Sequence, residues 1–414
     1  MSLLQSLPSI NISRLRKMIE ASAHIGALPN GGLCRLALSD ADKEMRDLFK
    51  SWMVNTGLNV RVDDFGNMYG RREGKYKDAP AVLVGSHLDT QPEGGIFDGI
   101  LGVLSALECM TVLNELEIET KRPIEIVNFT NEEGARFEPP MLGSGGLAGV
   151  FNKEFVLSRK DKSGKSLGEE LIRIGYAGEA ANRAKDIYSY VELHIEQGPI
   201  LEYTGIPIGA VEGIQGMTWL EVKVTGESDH AGPTPMYMRK DALVGATKMI
   251  MAIQDIVKLS DENTTATIGR FSLSPNVVNS IPGEVVFTVD VRHYNDEIRR
   301  NIVEEISERI STIAATEKLE LQISKLWEIE STKFSDKLVK MVLEISGKLG
   351  FRAMKMVSGA GHDAKYISHL APSVMIFVPS INGKSHCSQE LTLWEDVEKG
   401  ANVLLHMLLS LAQE

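Results

Sequence analysis

Two apolar, β-branched segments separated by a helical segment constrain the fold of this chain more than any other feature. Residues 81–86 and 124–130 have the composition of buried parallel strands, and residues 100–116 follow a helical pattern. This order predicts a βαβ unit, in which the carboxyl ends of two parallel strands meet at one edge of a sheet. Ligands of such sheets bind at that edge, so the residues that follow each strand are candidates for a site.

A chain of 414 residues is too long for one ordinary core, and its predicted elements form two groups. The first group contains helices at 12–25 and 39–56 and strands at 60–64, 68–72 and 190–194. Near the end of the chain the same group continues with helix 335–349, strand 373–378 and helix 396–412. Between them lie strand 219–225, helix 239–257, strands 264–272 and 284–291, helix 296–317 and strand 319–326. That middle order is the order of a split βαβ sandwich.

These patterns predict an α/β fold class with a discontinuous first domain, residues 1–208 and 328–414, built on a central, mostly parallel sheet. Residues 209–327 are predicted to form an inserted α+β domain of the split-βαβ type.

Charge and composition exclude several classes of partner. The net charge of −12 argues against nucleic acid and anionic membranes as partners, because both bind to clusters of Lys and Arg. No apolar run approaches the ~18 residues of a membrane span, and residues 1–20 lack the pattern of a signal peptide. The three cysteines are odd in number and far apart (Cys34, Cys109 and Cys387), which fits a reducing compartment and predicts a cytoplasmic protein.

Three motifs after the apolar segments carry groups that bind metals. They are GSHLDT at 85–90, FDG at 97–99 and NEEG at 131–134. Imidazole nitrogens and carboxylate oxygens suit Zn²⁺, Mn²⁺ and similar ions. We therefore expect a metal site with an acid/base beside it, which favours hydrolytic chemistry.

Each of these residues also has a simpler interpretation. Asp89 could fix the ring of His87 as a metal ligand, or His87 could be a strand-end histidine beside a solvated aspartate. Asp98 could bridge two metal ions, or cap the helix that follows it. Of Glu132 and Glu133, one could bind metal while the other faces water, or both could be solvated loop residues.

Three later residues also have both a functional and a purely structural interpretation. His194 ends an apolar strand, so it is either a core histidine or a further ligand. His386 lies in a polar loop after the segment 373–378, as a surface residue or a ligand. Arg292 ends a strand of the inserted domain and is suited to bind a carboxylate bidentately, although a surface salt bridge would also explain it.

Taken together, the motifs resemble those of the M20 metallopeptidase family, in particular its amidohydrolase branch. That branch contains N-carbamoyl-L-amino acid hydrolases, allantoate amidohydrolases and β-ureidopropionases. The resemblance extends to Glu390 and includes, in order, GSHLDT, FDG, NEEGARF, ELHIEQG, DHAGPTPM, SGAGHDA and GKSHCSQE. Peptidases of the family usually have a carboxylate at the position of His194, so the histidine there resembles the ureido-hydrolysing branch.

The resemblance implies a role for each motif residue. It implies two divalent metal ions per subunit (Zn, Mn, Co or Ni), Glu132 as general base and Asp89 as the support of His87. It also implies that the inserted domain acts as a dimerisation and lid domain, and that His230 of one subunit acts in the site of the other subunit of a homodimer. The implied metal ligands are His87, Asp98, Glu133, His194 and His386, and the implied substrate contacts are Gln197, Gln215, His230, Asn279, Arg292, Gly359, Ala360 and Gly361. The motif SGAGHDA also contains His362 and Asp363, for which substrate contact and loop shaping stay open.

The resulting hypothesis is a metal-dependent hydrolase of the carbamoyl (ureido) C–N bond of N-carbamoyl-L-amino acids, releasing amino acid, CO₂ and ammonia. Allantoate and 3-ureidopropionate are alternative substrates, because they share a carboxylate and a ureido group. A di- or aminopeptidase of the same fold is a second hypothesis, and His194 argues against it. A non-catalytic ligand-binding protein is a third, and the intact base Glu132 argues against it.

Overall fold

The computed structural model describes residues 7–261 and 263–414 and divides the chain into two compact units. The first comprises the chain up to Glu212 together with Phe334–Glu414, and the second is Gly213–Lys333. The strands are β1 (Asn59–Val62), β2 (Met68–Arg72), β3 (Ala81–His87), β4 (Ile124–Phe129), β5 (Ile187–Ile195), β6 (Ile208–Ile214), β7 (Gly216–Thr225), β8 (Thr265–Ser274), β9 (Glu284–His293), β10 (Glu320–Ile329), β11 (Thr332–Lys333), β12 (Ala353–Ser358) and β13 (Ser373–Val378).

The helices include several that start at side-chain caps. Ser39 caps α2, and Ser166 forms a reciprocal capping box with Glu169 at α6, so local sequence fixes these starts. The helices are α1 (Ile12–Ala23), α2 (Asp40–Asn55), α3 (Ile100–Glu115), α4 (Leu142–Leu147), α5 (Lys153–Ser158), α6 (Leu167–Ile174), α7 (Ile200–Thr204), α8 (Ala242–Leu259), α9 (Asp296–Thr316), α10 (Asp336–Lys348), α11 (Ala364–Ile367) and α12 (Trp394–Ala412).

The sheet of the first unit has the order β1-β2-β4-β3-β5-β13-β6, with β12 also paired to β6. Its four central strands, β4, β3, β5 and β13, are mutually parallel, and the outer strands β1, β2 and β6 add antiparallel pairs. Every residue of β3, β4 and β13 is buried, as expected of strands covered on both faces. The predicted α/β class with a mainly parallel central sheet is confirmed.

The helix between β3 and β4 is packed inside the first unit. Nearly all of α3 is buried, and it packs against β3, β5, α1 and α12. A helix that is apolar all round belongs inside a protein. The segments that leave the carboxyl ends of β3 and β5 therefore start from strands that are packed against a buried helix.

The second unit is a four-stranded antiparallel sheet with two helices on one face. Its strand order is β10-β7-β9-β8, and α8 and α9 pack against the sheet. Residues of β9 alternate between the core and the opposite face, with Val285, Phe287, Val289 and Val291 in the core. This is the β-α-β-β-α-β order expected for residues 209–327.

The observed unit begins at Gly213 and ends at Lys333, whereas the predicted insert spans 209–327. Residues 209–211 pair with β13 and so belong to the sheet of the first unit. At the other end, β11 pairs with Ile214 and Gly213, which keeps 332–333 with the second unit. Within the part of the chain that the structure describes, no helix is long and apolar enough to cross a membrane.

Candidate metal centre

The predicted metal ligands of the first unit lie at one edge of its sheet. His87 ends β3, His194 lies at the end of β5, Glu133 follows β4 and His386 follows β13. Because these four strands are parallel, their carboxyl ends meet at the same edge. Asp98 lies in the segment between β3 and α3.

Asp98 is the centre of this group of side chains. Its Oδ1 lies 3.1 Å from His194 Nε2 and 3.6 Å from His87 Nε2, and its Oδ2 lies 3.3 Å from His386 Nε2. Glu133 Oε2 is 3.4 Å from the same nitrogen of His386. The two oxygens of Asp98 thus belong to two donor sets, one with His87 and His194 and one with Glu133 and His386.

Gly99 allows the ring of His87 to lie against the backbone. It has a φ of +67°, and a Cβ at this position would lie 2.4 Å from His87 Cε1. Both the left-handed backbone and the close approach require glycine. The FDG motif therefore needs its glycine for a steric reason as well as its aspartate for a chemical one.

The support of His87 differs from the prediction. His87 Nδ1 lies 2.9 Å from the backbone carbonyl oxygen of Asp89, so the main chain rather than the carboxylate fixes the ring. The Asp89 carboxylate instead accepts hydrogen bonds from the backbone N–H groups of Glu132 and Glu133, both at 3.3 Å. Asp89 therefore holds the turn that carries the two glutamates.

Glu132 faces the same centre from the wall of a small cavity. Its Oε2 lies 3.5 Å from His87 Nε2, and its side chain is almost fully buried. Burial raises the pKa of Glu132 well above its usual range, His87 opposes this shift, and the carboxylate of Asp363 adds to it. The cavity has a volume of about 180 Å³ and is lined by Gln91, Asp98, Glu132, Glu133, Pro140, Met141, Gln197, Ala360, Gly361, His362 and His386.

The charges of this cluster fit a divalent cation. Burial and the carboxylate of Asp98 raise the pKa of Glu133 to about 7, and the hydrogen bond to Asp98 raises the pKa of His386 to about 9. Burial alone would lower the pKa of His87, but the surrounding carboxylates, first Glu132, raise it well above its usual range. The cluster thus retains protons to offset its crowded carboxylates, and a bound cation would replace those protons. Nitrogen and oxygen donors of this kind suit Zn, Mn, Co or Ni.

Gln197 contacts the carboxylate of Asp98. Its Nε2 donates to Asp98 Oδ2 at 2.7 Å, while its Oε1 is buried and has no hydrogen-bond partner among the described residues. The backbone of Gln197 has a φ of +58°, which is uncommon for a residue with a side chain. A buried unpaired acceptor in the cavity wall is a candidate contact for an N–H group of a ligand.

The sequence analysis missed two residues that support Asp98. Glu390 Oε1 accepts the backbone N–H groups of Phe97 and Asp98, each at 3.0 Å, and Ser385 Oγ lies 2.9 Å from both Asp98 Oδ2 and Glu390 Oε2. A Cβ at Gly95 would lie 2.1 Å from Glu390 Oε1, so the glycine-rich loop follows this buried carboxylate closely. The glycines before Asp98 were the available signal.

The loop of residues 358–363 lines the other side of the cavity. Ser358 Oγ accepts from Ala360 N at 3.1 Å and lies 3.0 Å from His362 Nε2, and the ring of His362 packs against His194 with centroids 4.5 Å apart. Asp363 is fully buried and accepts from Ser144 Oγ at 2.5 Å. Ala360, Gly361 and His362 line the cavity, whereas Gly359 and Asp363 do not.

The predicted contacts in the second unit form two separate groups. His230 and Ser280 form an isolated antiparallel β-bridge, and Ala231 N donates to Asn279 O. His230 and Asn279 therefore lie together beyond the Thr225 end of β7.

The second group lies at the other end of β7. Gln215 directly precedes this end, and Met217 is the cross-strand neighbour of Arg292 there. At about 3.3 Å per residue, the ten-residue strand β7 separates the two groups by roughly 30 Å.

Comparison with known proteins matches residues 83–410 to the model of peptidase family M20/M25/M40. The chain belongs to this family. The match begins inside β3 and ends inside α12, so it includes every donor of the candidate metal centre.

Similar members of the M20 family cover nearly the whole chain. An N-carbamoyl-L-amino-acid amidohydrolase from Rhizobium meliloti is 42% identical over 98% of this chain and 97% of its own length. An allantoate amidohydrolase from Bacillus subtilis is 35% identical, with 95% and 96% covered. The crystal structure of an amidase of the hydantoinase/carbamoylase family from Burkholderia multivorans has a TM-score of 0.96 at 45% identity and covers 98% of this chain and 99% of its own.

Proposed function

We propose that this chain hydrolyses the carbamoyl (ureido) C–N bond of an N-carbamoyl-L-amino acid, giving the amino acid, CO₂ and ammonia. The observation that carries the proposal is the pair of donor sets that share Asp98, with Glu132 beside them in a buried cavity. Relatives named N-carbamoyl-L-amino-acid amidohydrolase cover 98% and 97% of the chain. Allantoate is the alternative substrate, because a relative that covers 95% of the chain is named allantoate amidohydrolase. A further alternative is 3-ureidopropionate.

The donors would hold two divalent cations. His87 and His194 would share one with Asp98, and Glu133 and His386 would share the other with Asp98. Such ions act as Lewis acids and lower the pKa of water toward neutrality. Asp89 and Glu390 would position the loops that carry these ligands, since both accept backbone N–H groups next to them.

Glu132 would move the protons of the reaction. It takes a proton from the attacking water as oxygen adds to the ureido carbonyl carbon, and it then gives a proton to the amino acid nitrogen as the C–N bond breaks. The released carbamic acid breaks down to CO₂ and ammonia. Burial favours this role because it keeps bulk water from the carboxyl group.

The remaining predicted residues would bind the substrate. Arg292 would bind its carboxylate, with Gln215 and Asn279 beside it, and His230 would donate to the developing oxyanion. In the first unit, the unpaired Gln197 Oε1 would accept a ureido N–H, and Ala360 and Gly361 in the cavity wall, with the neighbouring Gly359, would contact the substrate. A carboxylate clamp explains how a protein with a charge of −12 could bind an anionic substrate.

We infer a homodimer in which the second unit is the dimerisation domain. β8 is an edge strand of its sheet, and α8 beside it exposes Val244 and Met251.

Two copies of β8 paired antiparallel about a two-fold axis would put the Ser274 end of one copy next to the Thr265 end of the other. His230 and Asn279 of one copy would then lie near Gln215 and Arg292 of the other, although roughly 30 Å separates these groups within one chain. The cytoplasmic location stays a prediction.

A substrate panel tests the proposed function. Metal-depleted protein is supplied with Mn²⁺, Co²⁺ or Zn²⁺ and assayed for ammonia and amine release from N-carbamoyl-L-amino acids, allantoate, 3-ureidopropionate and dipeptides. We expect the highest kcat/KM with an N-carbamoyl-L-amino acid. Preference for allantoate or 3-ureidopropionate would select the corresponding alternative, and preference for a dipeptide would contradict ureido hydrolysis.

A further inference from the structure

Gln91 contacts the carboxylate of one candidate metal donor. Its Nε2 donates to Glu133 Oε2 at 2.7 Å and, more weakly, to the backbone carbonyl oxygen of Glu133 at 3.4 Å. The same Oε2 lies 3.4 Å from Nε2 of His386, with which Glu133 and Asp98 form one of the two donor sets. Gln91 therefore holds the oxygen of Glu133 that lies beside another donor of that set.

The loop after β3 fixes the backbone from which Gln91 extends. The carbonyl oxygen of Gln91 accepts from Thr90 Oγ1 at 2.9 Å and from Gly94 N at 3.2 Å. Thr90 is buried, and its Oγ1 also accepts the backbone N–H of Arg35 at 2.9 Å. A Cβ at Gly94 would lie 3.0 Å from Thr90 Cβ, so this tight loop favours glycine. The side chain of Gln91 thus extends toward Glu133 from a hydrogen-bonded loop.

A neutral amide suits this position better than a charged donor. It orients the carboxylate through an N–H group without adding a positive charge that would repel a cation. An ionised carboxylate has about four acceptor positions, so Glu133 can accept from Gln91 and still bind a metal ion. Gln197 makes the corresponding contact to Asp98, with its Nε2 2.7 Å from Oδ2. Two glutamine amides therefore contact the two carboxylates of one donor set.

The contact bears on the direction of the Glu133 side chain more than on the path of its loop. The backbone N–H of Glu133 already donates to Asp89, and the shorter contact of Gln91 goes to the carboxylate. Groups that hold metal ligands in this way set the orientation of the ligand and the affinity for the ion. Gln91 is placed to do this for Glu133.

We propose that Gln91 is a positioning residue for the cation shared by Asp98, Glu133 and His386, holding the carboxylate of Glu133 toward that ion. This role rests on the proposed function, in which these three donors bind a divalent cation. Gln91 should therefore affect the affinity for this cation and leave unchanged the affinity for the other one, which His87 and His194 would bind.

Binding of Mn²⁺ to metal-depleted Gln91→Leu tests this role. Leucine is close to glutamine in size and has no side-chain N–H group. Equilibrium dialysis with metal analysis should give a dissociation constant about 10–100-fold higher for one Mn²⁺ ion and unchanged for the other. Gln91→Asn keeps the amide on a shorter side chain and should raise the same constant. Gln413→Leu is the matched control, because it removes a glutamine hydrogen bond to the Glu119 carbonyl in the same unit and should leave both constants unchanged.

A His386→Ala background separates the orientation of Glu133 from general damage. This variant lacks a donor of the set that Gln91 serves, so adding Gln91→Leu should not weaken the remaining Mn²⁺ ion further. Unchanged constants in both Gln91 variants, equal weakening of both ions, or further weakening in the His386→Ala background would each overturn the inference.

Two further results distinguish the role of Gln91 from the function on which it rests. If Glu133→Gln keeps both Mn²⁺ constants, Glu133 is not a donor and the inference falls with that assignment. If Glu133→Gln weakens one ion and the Gln91 variants do not, the donor set stands and the inference alone fails. Absence of ureido hydrolysis in the substrate panel, with the expected Mn²⁺ binding, would contradict the proposed function and leave the role of Gln91 intact.

Discussion

At the scale of single residues, one turn directs the side chains of two adjacent glutamates toward different partners. The backbone N–H groups of Glu132 and Glu133 both donate to Asp89, which fixes the turn. Their side chains then diverge, with Glu132 toward His87 and Glu133 toward His386. Under the proposed function, these different partners would allow Glu133 to hold a cation while Glu132 transfers protons.

Glu132→Gln is expected to keep its metal and lose turnover. The amide has the size of the carboxyl group but cannot accept a proton, so kcat should fall by about 10²–10⁴-fold. Metal content by mass spectrometry and kcat are measured together, with Glu133→Gln as the comparison. That second variant should lose metal, because it removes a donor of the Asp98–His386 set. A Glu132→Gln protein with near wild-type kcat would exclude Glu132 as the base.

At the scale of elements, the sequence predicted the central strands well because their signal is local. The predicted segments 81–86 and 124–130 correspond to Ala81–His87 and Ile124–Phe129, continuous apolar runs that few other structures accommodate. The pairing of β6 with β13 was missed, since it joins segments more than 150 residues apart and leaves no local pattern.

The supports of the candidate site were less predictable than its donors. His87, Asp98 and Glu133 carry chemistry in their residue types, so a motif identifies them. Glu390 acts through hydrogen bonds to the backbone of another loop, and the contact of His87 with Asp89 is made by a carbonyl that every residue has. Tertiary contacts to backbone atoms have no sequence signal of their own.

Gly99→Ala tests the close approach of α3 to the metal centre. The new Cβ would lie 2.4 Å from the His87 ring, so the variant should lose metal affinity and unfold at a lower temperature. Gly149→Ala is a matched control, because Gly149 also has a positive φ, +74°, but no atom within 4 Å of the new Cβ. It should show only the cost of the backbone, about 1 kcal/mol, with metal content unchanged. Equal metal loss in both variants would contradict the steric explanation.

At the scale of the whole molecule, the two units have separate cores, and the candidate metal donors belong to the first unit alone. Removal of the metal should therefore act on one unit. A ligand at 100 times its dissociation constant stabilises the folded state by about 2.7 kcal/mol, so chelation should lower the free energy of unfolding by a similar amount.

Hydrogen exchange locates this effect. After chelation, backbone amides of residues 87–99, 130–134 and 380–390 should exchange faster, because their loops carry the donors and Glu390. Amides of β7–β10 serve as the internal control and should keep their protection. Equal loss of protection in the second unit would contradict a metal site confined to the first.

Mixing two inactive variants tests whether a site is shared between two copies of the chain. Glu132→Gln removes the base and keeps His230, whereas His230→Ala keeps the base and removes the residue proposed to act across the interface. In a mixed dimer, the site that retains Glu132 would receive His230 from the other copy, so each mixed dimer would contain one complete site. Random reassociation makes half of the dimers mixed, and we expect activity to recover to about a quarter of the wild-type value. If His230 acts within its own chain, no mixture contains a complete site, and the activity would stay at the level of the separate variants.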